Sequence, residues 1–441
     1  MRFRSVPIGA VFEVRNGATP SSAEPSYWEG HIPWVGPADM GKLTTRYIES
    51  GGRGITEEGY ASCGTQMVPA GSIILSIRAP IGHIAIASRS MCFNQGCRGL
   101  VPRAMIRSDF SYWALSAVKR HLEAAGQGTT FVELSRGRLR AIRIPVPDVS
   151  TQEAIAGFLD RETARLDQLI EKKQRLVALL DERRAAFVSD AVTGRHLQDA
   201  PMKPTNSRYL TEIPEHWSLR RLKQLGRVRG GITLGRAISE GRETLSVEYL
   251  RVANVQAGHI DLSDVATIEV TREERERYKL QKGDILMNEG GDNDKLGRGA
   301  VWDGSIDPCI HQNHVFAVRP FESHVGLWVS FCSNARYGRD FFYLNSRQST
   351  NLASISKTRL EEFPVTTPPA EEMAQLIVQI ADKTKACRQL IDQISESIAG
   401  LSEFRAALIT AAVTGQIDVT TWHKRGGTDR RLDAIQEEMA S

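Results

Sequence analysis

The sequence predicts an α+β protein built from a duplicated unit. Two strand-rich mixed domains are each followed by a long helix, and the two helices pair as an antiparallel coiled coil. Three observations carry this expectation. Ala-Val-Thr-Gly occurs at 191–194 and again at 412–415, an offset of 221 residues. Upstream of each copy lies a long charged stretch without Pro, broken only by Gly157 in the first and Gly400 in the second. Gly71-Ser72-Ile73-Ile74-Leu75 has a counterpart in Gly283-Asp284-Ile285-Leu286-Met287, each a turn entering a buried strand. A repeat of this length decides the architecture before any local prediction does.

The helices follow from heptad spacing. Leu159, Leu166, Leu180 and Phe187 recur every seven positions, with Lys173 interrupting. The second stretch repeats this phase at Ile380, Cys387, Leu401 and Leu408, with Ile394 opposite the interruption. Matched apolar seams of this kind need a partner face. Roughly 39 residues at 1.5 Å per residue would give a spacer of about 58 Å. Prolines at Pro147 and Pro369 suit helix starts, and Gly194 and Gly415 suit C-terminal caps. Leu134-Ser135-Arg136-Gly137-Arg138-Leu139 aligns with Ile355-Ser356-Lys357-Thr358-Arg359-Leu360, closing each strand-rich domain. The expected layout is therefore a first domain over 1–150, a helix over 151–196 and a linker over 197–207. A second domain over 208–370, a helix over 371–418 and a tail over 419–441 complete it.

Composition bounds the function. At 441 residues, 41% hydrophobic and 24% charged, the chain reads as a soluble globular protein of two or three domains. No apolar run is long enough to span a bilayer, and the first residues lack the apolar core of a signal peptide. Six cysteines without a Cys-x-x-Cys pair suggest reduced thiols, so a cytoplasmic location is expected. Net charge is only +4, yet residues 1–150 hold 17 Lys/Arg against 11 Asp/Glu. That bias permits a polyanion partner without requiring one.

Catalytic signatures are scarce. There is no Walker A sequence, and no Asp/Asn-Pro-Pro-aromatic box of the kind an amino-methyltransferase uses. His311 and His314 are the only close histidine pair and lack a zincin glutamate; the structural reading is preferred to a metal site. Gly290-Gly291-Asp292-Asn293-Asp294 lacks the terminal Glu of an EF-hand. No catalytic residue, metal ligand or cofactor of this chain is expected.

Polar loops recur at matched places. Gln127, Thr129 and Thr130 precede Ser135, Arg136 and Arg138; Gln348 and Asn351 precede Ser356, Lys357 and Arg359. Asn94-Gln95 is matched by Gln312-Asn313. Arg78 and His83 flank Pro80-Ile81-Gly82, as Lys295 and Arg298 flank Leu296-Gly297. Amide and guanidinium side chains read base edges, whereas hydroxyls, lysines and backbone amides hold phosphates. The bland alternative for each loop is a solvated turn, or a cap on the element that follows. Recurrence with different side chains favours two different half-sites.

In this order the segments resemble a known family. Gly17-Ala18-Thr19-Pro20 and Tyr27-Trp28-Glu29-Gly30-His31-Ile32-Pro33-Trp34-Val35 are similar to the opening of a target-recognition domain in the DNA-specificity subunits of type I restriction-modification systems. Leu134-Ser135 through Pro145-Val146-Pro147 and Gln152-Glu153 resemble its close. Ile213-Pro214-Glu215-His216-Trp217 with Arg221-Leu222 resembles the start of the second domain. Two departures lie in the second half: Thr366-Thr367 replaces the usual Ile/Val-Pro, and Gly230-Gly231-Ile232-Thr233 lacks the Thr-Pro of the first opening.

The resemblance implies two target-recognition domains reading a bipartite asymmetric site in double-stranded DNA, with the helices fixing the gap. It adds Thr19 to the candidate DNA-binding residues. It also implies a non-catalytic subunit within a DNA methylation complex. Two methylation subunits would carry S-adenosylmethionine, and restriction/translocase subunits would use ATP and magnesium. A coiled-coil assembly scaffold without DNA binding is the alternative, and a stand-alone nuclease using Asp284 with Glu289 is a third reading.

Overall fold

The computed structural model describes residues 3–126, 133–236, 242–291, 296–348 and 353–422. The chain divides into two compact units, Met1–Gln174 with Glu396–Ser441, and Arg175–Ser395. The long helices span Val149–Thr193 and Ala370–Val413, so each unit holds one strand-rich domain and one segment of each helix.

In the first unit a five-stranded sheet runs in the order Phe12–Asn16, Cys97–Pro102, Ile73–Ser76, Ile84–Ala87, Tyr47–Ile48. Its members are antiparallel except for the last pair. A second sheet places Trp28–Val35 between antiparallel Arg53–Ile55 and parallel Cys92–Phe93. Arg143–Pro145 closes the domain by pairing with Ser5–Pro7.

The second unit repeats this plan. Gly226–Arg229, Val315–Pro320, Ile285–Asn288 and Gly299–Val301 form the larger sheet. Leu245–Leu250 lies between antiparallel Ala266–Val270 and parallel Cys309–His311. Pro364–Thr367 closes on Ser218–Arg221. Alternating burial drives these strands: Val228 is buried between more exposed Arg227 and Arg229, while Ile285–Asn288 is buried throughout, as a central strand must be.

Each domain core continues onto the helices. In the first unit Phe12, Leu75, Leu100, Phe110 and Trp113 pack in one cluster with Ile155, Leu159, Leu166, Leu408 and Ile409. Arg405 donates to the Asp167 carboxylate at 2.8 and 3.1 Å, while Phe158 meets Trp422 edge-on at 5.6 Å. The partner numbers fall as the first helix advances, so the segments are antiparallel. In the second unit Trp217, Val318, Trp328 and Phe363 pack with Val188, Val192, Met373, Leu376 and Ile380. There the Lys383 ammonium lies 3.9 Å from the Phe187 ring centroid.

The seam is not uniform along its length. Leu166 and Leu408 are 4% exposed, but Leu180 and Cys387 of the same heptad series are only partly buried. Burial concentrates where a helix also meets a domain core, because a narrow two-helix seam covers only part of each leucine.

The helix ends show local chemistry. The first start is capped by Asp148, whose carboxylate accepts from the Thr151 N–H at 2.9 Å and from the Ser150 and Thr151 hydroxyls. These donors hold it well below the usual carboxylate range. Pro147 and Pro369 therefore lie just outside the helices rather than in the first turn. Buried Gln152 ties this start to the preceding loop through Arg107 N–H and the carbonyls of Met105 and Pro147, each at 2.9 Å. Gly194 (φ +77°) and Gly415 (φ +71°) adopt the left-handed conformation expected of C-terminal caps. A side chain on Gly194 would also strike the Pro214 ring at 2.2 Å.

That ring belongs to a hairpin, Met202–Ser207 with Leu210–Pro214, so much of the stretch expected as a linker is ordered strand. Buried Leu210, Ile213 and Trp217 hold it down, and Trp217 packs edge-on to Trp328 at 6.0 Å. All six cysteines are free thiols. Among the described residues no helix is long and apolar enough to cross a membrane.

Candidate nucleic-acid interface

The opening loops of the two units are built alike. Gly17 follows the first strand of the larger sheet and passes so close to the neighbouring chain that a Cβ would lie 2.0 Å from the Asn94 carbonyl oxygen. Gly231 occupies the same place, with an imaginary Cβ 2.2 Å from the His311 oxygen and 2.3 Å from that of Gln312. Only glycine permits this approach. Ala18 N–H then donates to Phe93 O at 3.1 Å, and Ile232 N–H to His311 O at 2.8 Å. Asn94-Gln95 and Gln312-Asn313 are therefore structurally equivalent, as their sequence pairing suggested.

In the first unit the loop is further pinned by two indoles. Trp34 Nε1 donates to Ala18 O and Trp28 Nε1 to Ser21 O, both at 3.0 Å. The Thr19 hydroxyl donates to the Gln95 side-chain oxygen, and both residues are exposed. Asn94 instead caps its own turn, accepting from Gly96 N–H at 2.9 Å. The sequence signalled these tryptophans only through the motif that contains them; their donor role requires the fold.

Ser135 and Ser356 do not lie in loops. Each is the N-cap of a short helix, Arg136–Ala141 and Lys357–Glu361, accepting from the N–H of Arg138 and Arg359 at 3.4 Å. Arg136 reaches Val14 O at 3.1 Å, and Arg138 reaches Ala125 O at 3.2 Å. Glu133 gathers the surrounding arginines: Arg78 donates to it at 2.8 Å and Arg98 lies at 3.7 Å. Burial, with the neighbouring charges of Arg136 and Arg78, pushes Arg98 below its ordinary value, while Glu133 opposes them. His83 is not part of this group. It lines a cleft of about 950 Å³ with Lys119, Arg120 and Arg405.

In the second unit Lys357 lines a cleft of about 920 Å³ with Arg227, Arg229, Arg277 and Arg319. Ser356 and Arg359 line another, of about 540 Å³, with Arg208 and Arg347. Arg298 donates to Gln256 at 3.1 Å. Gln127, Thr129, Thr130, Lys295, Asn351 and the Gln348 side chain lie outside the described residues. The arginines of the larger cleft escaped motif reading, although Arg227-Val228-Arg229 carries the period-two alternation that puts two cations on one strand face.

His311 and Asp284 are committed to structure. His311 is buried, with Nδ1 2.7 Å from Val315 O, and burial pushes it down to about 4. Asp284 is 1% exposed, receives Arg319 at 2.8 and 2.7 Å and accepts from Gln281 N–H at 2.8 Å. Glu289 instead lies 3.1 Å from His314 Nδ1. Both oxygens of the Asp284 carboxylate thus accept hydrogen bonds and the side chain faces no solvent, so the nuclease reading loses its named pair.

The duplicated opening and closing elements correspond to a known domain. The family model described as the type I restriction modification DNA specificity domain matches residues 2–178 and 214–399. The chain belongs to that family. It is 32% identical over 230 residues to the MjaIX specificity subunit of Methanocaldococcus jannaschii, covering 51% of each chain. It is 21% identical over 423 residues to the EcoBI specificity subunit of Escherichia coli, covering 93% of this chain and 85% of that one. The first of these alignments spans about half the length of the relative. Among solved structures, one described as the structural basis underlying complex assembly and conformational transition of the type I R-M system superposes with a TM-score of 0.65 at 16% identity, covering 94% and 98% of the two chains. The HsdS subunit of Thermoanaerobacter tengcongensis gives 0.52 at 15% identity, covering 94% and 97%. These likenesses establish that the specificity-domain fold occurs twice here.

Proposed function

We propose that this specificity-domain protein is the DNA-recognition subunit of a type I restriction-modification complex. Each strand-rich domain, over 1–150 and 208–370, reads one half of a bipartite asymmetric duplex, and the long helices set the gap. The observation that carries this reading is the glycine-gated loop pair. One backbone arrangement is present in both units, offering Thr19 and Gln95 in the first and Gln312 and Asn313 in the second. Repeated geometry with altered donors and acceptors is what two unlike half-sites demand. Around it, Arg78, Arg136, Arg138, Lys357 and Arg359 supply charge for phosphates. Catalysis belongs to partners: two methylation subunits carrying S-adenosylmethionine, and restriction/translocase subunits using ATP and magnesium.

The test is selection from a random duplex library by the purified chain together with its methylation subunits. Two short motifs at fixed separation are expected, with log affinity falling linearly as log salt rises. A library without enrichment, together with salt-independent binding, would favour a protein-assembly scaffold.

A further inference from the structure

The basic cleft of the second unit has only a partial charge equivalent in the first: Arg15 and Arg136 match Arg229 and Lys357, but Glu13 and Val101 stand where Arg227 and Arg319 do. Arg227 and Arg319 stand directly opposite in an antiparallel ladder, and Arg229 follows Arg227 on the same face. Like charges opposed across strands repel. Arg319 is neutralised by buried Asp284. Arg229 is held by backbone carbonyls, those of Arg277 and Lys279, rather than by a carboxylate. Burial and the charges of Arg319 and Arg227 push its guanidinium below its ordinary value, with Asp284 opposing. No residue lining the cleft is acidic; exposed Phe321 and Lys357, the latter 3.7 Å from the Glu361 carboxylate outside the cleft, complete its wall.

At the corresponding register of the first unit, Glu13 faces Val101 where Arg227 faces Arg319. Glu13 there pairs with Arg15 at 2.8 Å, and Arg136, the counterpart of Lys357, is hydrogen-bonded to Val14 O. The same strand pair therefore carries a Glu13–Arg15 ion pair in one unit and three arginines, only one of them neutralised by a carboxylate, in the other. The cleft also contains Gly230 and Gly231, so it opens beside the loop assigned to base reading.

We infer that the cleft of Arg227, Arg229, Arg277 and Lys357 is a phosphate clamp for the duplex backbone flanking the second half-site, and that the first unit lacks an equally strong one. The inference rests on the DNA-reading proposal above and adds an asymmetry to it. Phosphodiester oxygens would supply the negative charge that Arg227 and Arg229 lack, with Arg319 already neutralised by Asp284.

The experiment compares salt dependence of duplex binding by the full chain with its methylation subunits, in wild type, Arg227→Ala/Arg277→Ala, and Arg227→Lys/Arg277→Lys. Both positions are exposed, and melting curves confirm folding. Loss of two phosphate contacts should reduce the magnitude of the log–log slope by about 1.8 and weaken binding of all sequences alike. The lysine variant should restore most of that slope, since it keeps the charge. Arg15→Ala/Arg103→Ala, which removes the ion-pair partner of Glu13 and the second arginine charge acting on it, should change the slope by less than half as much. A steep wild-type slope left unchanged by the double alanine variant would overturn the clamp while leaving DNA reading intact. A flat wild-type slope would overturn both. If inorganic pyrophosphate raises the wild-type melting temperature while the DNA slope is the same in all variants, the cleft takes a small phosphate ligand and the inference fails.

Discussion

At the parallel strand of each smaller sheet, the two units use one backbone for different chemistry. Phe93 and His311 both end that strand, opposite Val35 and Leu250, and both carry the carbonyl that receives the opening loop. Phe93 is wholly apolar. His311 is equally buried but titratable, and its Nε2 has no hydrogen-bond partner. The same division runs through the surface: Glu13 pairs with Arg15 in the first unit, whereas Arg227 at the matching position faces Arg319 in the second. A duplicated fold thus conserves backbone approach and packing while side-chain charge is free to diverge.

The largest effect should come from the helices that both units share. Leu166→Asp places a charge in the first core and should cost about 4 kcal/mol. Leu180→Asp, at a half-buried position, should cost about 1 kcal/mol or less. Denaturant unfolding checks this, and equal losses would mean that the seam is uniformly buried after all.

Acid should separate the units next. His311 has a folded pKa of about 4 against an ordinary 6.5, so the unfolded chain binds the proton first. Its contribution is complete above pH 6.5 and lost progressively toward pH 4, roughly 3 kcal/mol in all. Calorimetry should show the second unit's transition falling faster over that window, and His311→Phe should remove the difference.

The glycines test the shared backbone. Gly17→Ala and Gly231→Ala each drive a Cβ into backbone carbonyls and should cost about 2–3 kcal/mol. Each should also relax sequence preference in its own half-site only, read by the methylation motif. The smallest effect belongs to the indoles: Trp34→Phe removes one hydrogen bond to Ala18 O, worth about 1 kcal/mol. It should blur the first half-site without altering the second.

Much of this was legible in the chain. The repeat, both long helices, the capping glycines and the matched Asn94-Gln95 and Gln312-Asn313 pairs all appear as local signals at a fixed offset. The Ser135 and Ser356 segments were found but misread as loops, because a serine cap followed by only six or five helical residues is too short for periodicity to reveal. Charge was the least legible. Residues 1–150 carry the basic surplus, yet the second unit holds the arginine-lined cleft described above, with no acidic residue in its lining. Summed charge ignores distance, and Coulomb energy does not.

The sequence by itself determined the duplication, the length and phase of the helices, and the glycines on which each opening loop turns. Those properties are written within a few residues, in periodicity and in the steric freedom of a missing side chain. Only the tertiary structure decided that Arg227 faces Arg319 while Glu13 faces Val101, and that Asp284 is spent on Arg319 rather than open to chemistry. It also decided that the leucine seams are buried chiefly beside the domain cores. Each of these depends on strand register and on packing between distant segments, where the energy lies in contacts that no local pattern specifies.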